Sequence, residues 1–522
     1  MAGSETVDSI ASNCEYPAFM KFYVTTPIYY VNDRPHIGHV YTTTIADIAA
    51  RYHRLCGDEV FFLTGTDEHA AKVVDSAADH GVTPQQWADQ NARAFQETFA
   101  KLGITNDDFI RTSQPRHKEK AQQYMAELLK TGDVYLGEYE GWYDAGQEEY
   151  LPENKAKEYE FKSPFNGKPL VRKREKNYFF RLSKYSDALL KLLGERPEFV
   201  QPDVRRKEVT NRIREGLNDI PISRTSEHNW GIRVPGDEAH VIYVWIDALF
   251  NYLSAVDNPE RQHLWPADVH LIAKDILWFH AVIWPTMLMA LKRELPRQVY
   301  AHSFWISEGQ KMSKSLGNFV DLEKIDRYVA DFGLDALRYF LARHGPLGIN
   351  DSDFADARFN DVYNAELADK MGNLVNRTLT MIQRYRNGIV PQPNDEMLRA
   401  VAEKTVSAYR EAMGRLDFVT ALDALWDFVV RSNQYVEETA PWKLAKDPAN
   451  ARQLDGVLYN LAESTRLISL LVTPFMPTIA QQIRAQLGVA EELQLFAEEI
   501  AWGRLAPGTK IGQIAPLFPK RT

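Results

Sequence analysis

Cysteine is nearly absent from this sequence: only Cys14 and Cys56 occur in 522 residues. Two thiols can build neither a disulfide framework nor a thiolate metal site, so a reducing, cytosolic setting is expected. Long apolar runs are missing too, and none approaches the length that spans a bilayer. The first nineteen residues hold Glu5, Asp8 and Glu15 but no Lys or Arg, unlike a signal peptide or an Arg-rich transit peptide, and residues 1–19 read as a disordered extension. A surplus of positive charge is also lacking. The formal charge is -10, so any nucleic-acid partner needs a local basic surface. Neither an internal repeat nor a low-complexity tract is evident. The remainder, 45% hydrophobic and 25% charged, is ordinary for a globular protein large enough for two to four domains.

Organisation centres on Thr25 to Tyr52. KFYV at Lys21 to Val24 alternates β-branched and aromatic residues like a short buried strand. After Pro35 the apolar residues Val40, Thr44, Ile48 and Tyr52 recur every four positions, which places one stripe down a helix. At the join stands Pro35-His36-Ile37-Gly38-His39, where a helix start offers unpaired N–H groups and the positive end of its dipole. A polyanion such as a triphosphate suits that place. From Val60, VFFLTGTDEH reads as a second strand breaking at Gly65. Asp67, Glu68 and His69 then fall at a strand end, where doubly wound sheets bind their ligands.

Helical patterns follow over Pro84 to Leu102 and Arg116 to Leu129. Tyr135 to Arg174 is rich in Gly, Pro, Tyr and charge and reads as an inserted β-rich module, followed by a basic helix with Arg205, Arg206, Lys207, Arg212 and Arg214. HVIYVWI at His240 to Ile246 and the run from Val269 to Ile272 resume the strand pattern. Beyond Lys311-Met312-Ser313-Lys314-Ser315 come amphipathic helices over Ala365–Tyr385, Met397–Met413, Thr420–Glu438 and Leu458–Leu471, which a bundle would pair. The tail from Ala506 reads as an extended arm. The expected class is α/β: a Rossmann-like doubly wound parallel sheet split by a connective insertion, then an all-α bundle.

His36-x-Gly38-His39 at a helix start and Lys311-Met-Ser-Lys-Ser downstream, in this order, resemble the two signatures of class I aminoacyl-tRNA synthetases. Their chemistry is attack of a carboxylate on the α-phosphorus of ATP. Positioning and positive donors serve that reaction better than a protein nucleophile does. TTPIYY at Thr25, GTDEH at Gly65, YVWIDAL at Tyr243, KDILWFH at Lys274 and APW at Ala440 narrow the resemblance to the methionyl-tRNA synthetase family, over essentially Met20 to Thr522.

That resemblance implies catalytic roles for His36, His39, Lys311 and Lys314, and an ATP site of His36, Gly38, His39, Lys311, Met312, Ser313, Lys314 and Ser315. It implies a methionine pocket of Ile28, Tyr30, Trp245, Ala248, Tyr252, Ile276, Phe279 and His280, with Asp67 on the ammonium; Asp67 is equally placed to cap the next helix. An unbranched thioether suits apolar, aromatic surroundings. Asn373 and Arg377, four apart on one helical face, and Trp442 are implied anticodon readers, stacking on a base being how single-stranded RNA is held. The implied partners are L-methionine, ATP with Mg2+ and tRNA(Met), with no membrane, acting as a cytoplasmic monomer. A monomer is expected because the chain ends after the bundle, without an appended tRNA-binding domain that dimerises some relatives.

The expected domains are 20–117 and 226–305 for the two catalytic halves, 118–225 for the connective insertion, 306–360 for the lysine loop and stem-contact region, and 361–522 for the anticodon-binding bundle and arm. Many family members carry a zinc knuckle in the insertion. Here Asp144, Gln147, Ser163 and Asn166 stand at the matching positions, a poor zinc donor set, so no metal is expected and Trp142, Tyr143, Tyr150, Phe161 and Phe165 are expected to hold the module. The alternative class is a small-molecule nucleotidyltransferase, which can share the H-x-G-H helix start but needs no helix bundle. A catalytically silent tRNA-binding protein would not need both signatures intact.

Overall fold

The computed structural model describes residues 20–144, 149–151, 153–225, 230–307, 309–312, 318–489 and 495–521. Expectations for residues 1–19, Gln147, Ser313, Lys314, Ser315 and the Tyr150 side chain lie outside what is described.

Six parallel strands form the central sheet: β1 (Lys21–Tyr30), β2 (Glu59–Asp67), β3 (Asp108–Arg111), β4 (Val200–Gln201), β5 (Val269–Ala273) and β6 (Gln298–His302). Their spatial order is β3-β2-β1-β5-β6-β4. Successive strands leave β1 toward β2 and β3, and the chain later returns to β1's other edge with β5. The switch point, where such sheets leave a ligand crevice, lies at the carboxyl ends of β1 and β5. Both faces are covered by helices, which explains why β1 and β2 read as nearly continuous apolar runs. Register between β1 and β2 shifts between Thr25 and Ile28, around Pro27, which has no N–H to give the ladder. Past the shift Tyr30 lies beside Asp67. Gly65 sits within β2 because a Cβ there would come 1.9 Å from the Ile110 carbonyl of β3.

Helix α1 (Ile37–Cys56) follows β1, with Val40, Thr44, Ile48 and Tyr52 all buried as the stripe requires. Helices α2 (Pro115–Lys130) and α3 (Val244–Ser254) cover the other face of the sheet. The strand expected over His240–Ile246 is corrected. Asp237–Ile242 is a strand of a separate three-stranded antiparallel sheet, Tyr243 is the N-cap, and Val244 to Ile246 open α3. A short, wholly apolar run is compatible with a buried helix as much as with a strand.

The insertion is an antiparallel sheet in which Val134–Asp144 pairs along its length with Val171–Phe180. Trp142 and Phe161 rings lie 4.6 Å apart, as expected of packing residues there. Phe165 is 60% exposed and takes no such part, a correction to its expected role. The tip turn at Ser163 to Pro169 leaves its ring in solvent.

Helix α4 (Leu334–His344) leads into the C-terminal helices, among them α5 (Asn373–Arg386), Phe418–Thr439 and α6 (Ala451–Val472). The tail is the expected arm: Lys510 bridges Ile389, and Phe518 packs on Gly372. One apolar core joins α1 (Val40, Ile45, Ile48) through α4 (Leu337, Phe340) to the bundle (Leu425, Leu461, Leu471). Inside that core Asp47 of α1 meets Arg338 of α4 at 2.7 Å, and the guanidinium also donates to the carbonyls of Pro474 and Phe475, each at 3.1 Å. Among the described residues no helix is long and apolar enough to cross a membrane.

Candidate active site

Both signature histidines cap α1. His36 is the N-cap, its Nδ1 accepting from the Gly38 N–H at 3.1 Å, and His39 Nδ1 accepts from the His36 N–H at 3.2 Å. With Nδ1 of each ring used as an acceptor, a neutral imidazole must carry its proton on Nε2, the atom pointing away from the cap. The rings lie 3.9 Å apart. Burial first, and the neighbouring His36 second, push the His39 pKa well below the usual histidine range. His39 therefore offers an N–H dipole rather than the positive charge expected from sequence. Gly38 has a reason of its own: a Cβ would stand 2.9 Å from His36 Cε1, so glycine makes room for the capping ring as well as for an approaching ligand.

The lysine segment returns to this helix start. Trp305–Ser307 and Gln310–Lys311 form a hairpin. Asn318 Nδ2 donates to the carbonyls of Ser307 at 3.3 Å and Lys311 at 3.2 Å, closing the base of the loop. Just beyond, the Ile37 N–H donates to the Val320 carbonyl at 3.2 Å, and the Phe319 ring edges His36 at 5.3 Å. Lys311 is exposed, and its charge reaches the Asp275 carboxylate beside the end of β5; Met312 is half-buried against the core. Thr42 of α1 bonds His302 Nε2 at 2.7 Å, tying the helix to β6, which feeds the hairpin. Phe319, Val320, Thr42 and His302 were not singled out from sequence. Their pairing is tertiary, and only the position of Phe319 and Val320 directly after the lysine motif hints at it.

Along the crevice the residues read as a methionine pocket come together. Tyr30 edges Trp245 at 6.0 Å, and Trp245 stacks on Phe279 at 4.0 Å and 11°. Ile28, Tyr30, Trp245, Ile276 and Phe279 are half-buried around the same core that encloses Tyr252, with Ala248 buried one turn away from it. A π-helical turn over Phe279–Ile283, a feature often found at functional sites, sets His280 inward. There His280 Nδ1 donates to the Ile276 carbonyl at 3.0 Å, and Nε2 receives the Tyr252 hydroxyl at 2.8 Å. Burial pulls its pKa to about 4, so the ring is neutral. Asp67 is buried at the end of β2, beside Tyr30. A separate solvent-open cleft of about 400 Å³ lined by Arg34, Arg93, Lys101 and Asp326 contains none of these residues.

On the bundle, Arg377 pairs with Glu437 at 2.7 Å and lies over the Trp442 ring at 5.8 Å, while Trp442 is 36% exposed. Asn373 is exposed one turn earlier on α5. Of the zinc-knuckle positions, Asp144, Ser163 and Asn166 are described, and they make a poor zinc donor set. Ser163 Oγ accepts from the N–H groups of Phe165 and Asn166 at 3.3 and 3.4 Å, and Asn166 Oδ1 from that of Lys168 at 2.9 Å. Those oxygens hold the turn, leaving Asp144 as the one carboxylate of the described set.

Comparison with known proteins agrees with this arrangement. The family described as "tRNA synthetases class I (M)" matches residues 22–160 and 159–379, and "Anticodon binding domain of methionyl tRNA ligase" matches residues 387–522. Methionine–tRNA ligase of Bacillus subtilis (strain 168) is 45% identical over 522 residues, covering 96% of this chain and 78% of the relative. That of Caldanaerobacter subterraneus is 46% identical over 510 residues with the same coverage. Mycobacterium tuberculosis methionyl-tRNA synthetase in complex with methionyl-adenylate superposes with a TM-score of 0.90 at 37% identity, covering 96% of this chain and 100% of that one. With the histidine signature at the start of α1, the flank of the lysine segment tied to it through Ile37 and Val320, and family models and relatives matching almost all of this chain, the chain belongs to the methionyl branch of the class I tRNA synthetases.

Proposed function

We propose that this chain is a methionine–tRNA ligase: it joins L-methionine to ATP-Mg2+ as methionyl-adenylate and passes the methionyl group to the 3′ end of tRNA(Met). What supports this most directly is the junction at the switch point, where the His36–His39 cap and the flank of the lysine loop are tied through Ile37 and Val320 beside an aromatic pocket ending in Asp67. In the first step a methionine carboxylate oxygen bonds Pα and the Pα–O bond to pyrophosphate breaks, the electron pair leaving with pyrophosphate. The Nε2–H groups of His36 and His39 and the ammonium groups of Lys311 and Lys314 face the charge that gathers on phosphate oxygens, with Gly38, Met312, Ser313 and Ser315 completing the nucleotide contacts. In the second, a hydroxyl of the terminal ribose attacks the acyl carbon, loses its proton, and AMP departs.

Asp67 meets the substrate ammonium. Tyr30, Trp245, Phe279 and their neighbours enclose the thioether, a soft, polarizable group suited to ring contacts. Such a pocket separates substrates one methylene apart by only about 1–3 kcal/mol. Asn373, Arg377 and Trp442 read the anticodon, Trp442 by stacking. We assign 20–117 and 226–305 to the catalytic halves, 118–225 to the connective insertion, 306–360 to the loop and stem contact, and 361–522 to anticodon binding, in a cytoplasmic monomer that needs no zinc. A small-molecule nucleotidyltransferase has no use for an exposed Trp442 beside Arg377 on a C-terminal bundle.

Amino-acid-dependent ATP–pyrophosphate exchange tests the reading. Methionine is the expected good substrate, and absence of exchange with every amino acid would rule the proposal out. Metal analysis tests the insertion, where one equivalent of zinc would overturn the zinc-free assignment.

A further inference from the structure

Helix α3 anchors a buried chain of acid and imidazole through Asp247. His69 Nδ1 bonds Asp247 Oδ2 at 2.6 Å, His117 Nε2 bonds Asp247 Oδ1 at 2.6 Å, and His117 Nδ1 bonds Ser254 Oγ at 2.8 Å. The side chains of His69, Asp247 and His117 are 2%, 1% and 0% exposed. Burial by itself would raise the Asp247 pKa, and the two histidines outweigh it, holding the carboxyl ionised at about 2. A buried carboxylate with both oxygens occupied is rigid, since turning either oxygen away forfeits a charge-assisted hydrogen bond from an imidazole N–H.

Its partners connect two parts of the proposed substrate site. Asp247 belongs to the helix that carries Trp245, Ala248 and Tyr252. His69 ends the turn that begins at Asp67. Between them Glu68 is pinned to the sheet, accepting from Arg111 Nε at 2.7 Å, with its carbonyl taking the Trp230 Nε1–H at 2.6 Å. The turn is thus fastened to β3 by Glu68 and to the pocket helix by His69, while Asp67, itself the last β2 residue paired with β1 through Tyr30, directly precedes these two anchors.

We propose that Asp247, through His69, is a positioning residue for methionine recognition: it clamps the Asp67–His69 turn to the pocket helix, so that the carboxylate meeting the ammonium and the rings meeting the thioether keep one fixed spacing. The inference rests on the reading of Asp67 as the ammonium ligand. Misplacement of a substrate-orienting group by about 1 Å can cost about 100-fold in rate, so a clamp that contacts no substrate still governs methionine use.

The test is steady-state ATP–pyrophosphate exchange on the full chain, with KM for methionine, KM for ATP and kcat measured for wild type, Asp67→Asn, Asp247→Asn, His69→Leu and His69→Asn. Asp247→Asn and His69→Leu are expected to raise the methionine KM about tenfold or more with the ATP KM within about twofold. His69→Asn, whose amide N–H can replace Nδ1–H as donor, is expected to stay near wild type. If Asp67→Asn raises the methionine KM while His69→Leu and Asp247→Asn leave it unmoved, the clamp is wrong and the ammonium reading stands. If Asp67→Asn leaves it unmoved, the ammonium reading fails and the clamp with it. A parallel rise in both KM values that His69→Asn does not restore would show a merely structural role and overturn the proposal. Should Asp247→Asn fail to fold, the two His69 variants, which keep the carboxylate and His117, decide.

Discussion

Replacing Gly38 with alanine separates the stability of α1 from its chemistry. The added Cβ would stand 2.9 Å from His36 Cε1 and 3.1 Å from Nδ1, so the ring must swing away and surrender its bond to the Gly38 N–H. Loss of such a cap costs about 1 kcal/mol. Alanine in a helix is favoured over glycine by up to about 1 kcal/mol, and the two nearly cancel. Folding stability should therefore change little, by less than about 1 kcal/mol in denaturant titration. Catalysis has no such offset. The displaced ring carries away one Nε2–H donor and leaves the His39 ring without the neighbour 3.9 Å away, and removing one transition-state donor costs about 100- to 1,000-fold in kcat. Pyrophosphate exchange at saturating methionine, run beside the denaturant titration, measures both quantities. A variant with wild-type exchange would show that the capping geometry is irrelevant to the chemistry. One that loses activity and several kcal/mol of stability together would show that the cancellation is wrong.

Tyr252→Phe removes the hydroxyl donating to His280 Nε2 at 2.8 Å and leaves a buried acceptor unsatisfied, so we expect a loss of about 1–3 kcal/mol in denaturant titration and a raised methionine KM; unchanged values in both would refute the bond's importance. Stability should fall in mild acid. Burial holds His280 and His302 near 4 and His39 and His270 well below their usual value, so the neutral rings stabilise the fold above about pH 6.5 and that contribution is lost as pH drops toward 4. Melting temperature recorded from pH 7.5 to 4.5 checks this, and a flat profile down to pH 5 would contradict it. Lys314→Ala, in the loop segment outside the described residues, should cost adenylation about 3 kcal/mol with methionine affinity hardly changed; equal loss of both would make Lys314 structural.

Local patterns were legible where one element explains them. The four-residue spacing of Val40, Thr44, Ile48 and Tyr52 predicts α1 because each position answers to a single helix period. The run His240 to Ile246 misleads because it is apolar or aromatic without a break from Val241 onward, which erases the period that distinguishes strand from helix. Candidate site residues such as His36, Asp67 and Trp245 sit at element ends, which turn and motif mark in the sequence. What holds them could not be located, since Asp247 meets His69 across 178 positions and His117 across 130. Such pairs leave no local trace. The charge state of His39 was hidden for the same reason, being set by burial that only the assembled helix start supplies.

The Asp47–Arg338 pair bears on how this molecule can be cut. Both side chains are almost wholly enclosed, and the guanidinium is shared between the nucleotide-side helix and the backbone at Pro474 and Phe475. A fragment ending before the bundle would keep Asp47 and Arg338 yet strip away the Pro474 and Phe475 carbonyls, and would bare Tyr52 of α1, whose ring meets Tyr409 at 6.2 Å and Phe496 at 6.0 Å. The gap between the two family matches at 379 and 387 thus falls inside one continuous apolar core, and is no place at which the polypeptide can be divided.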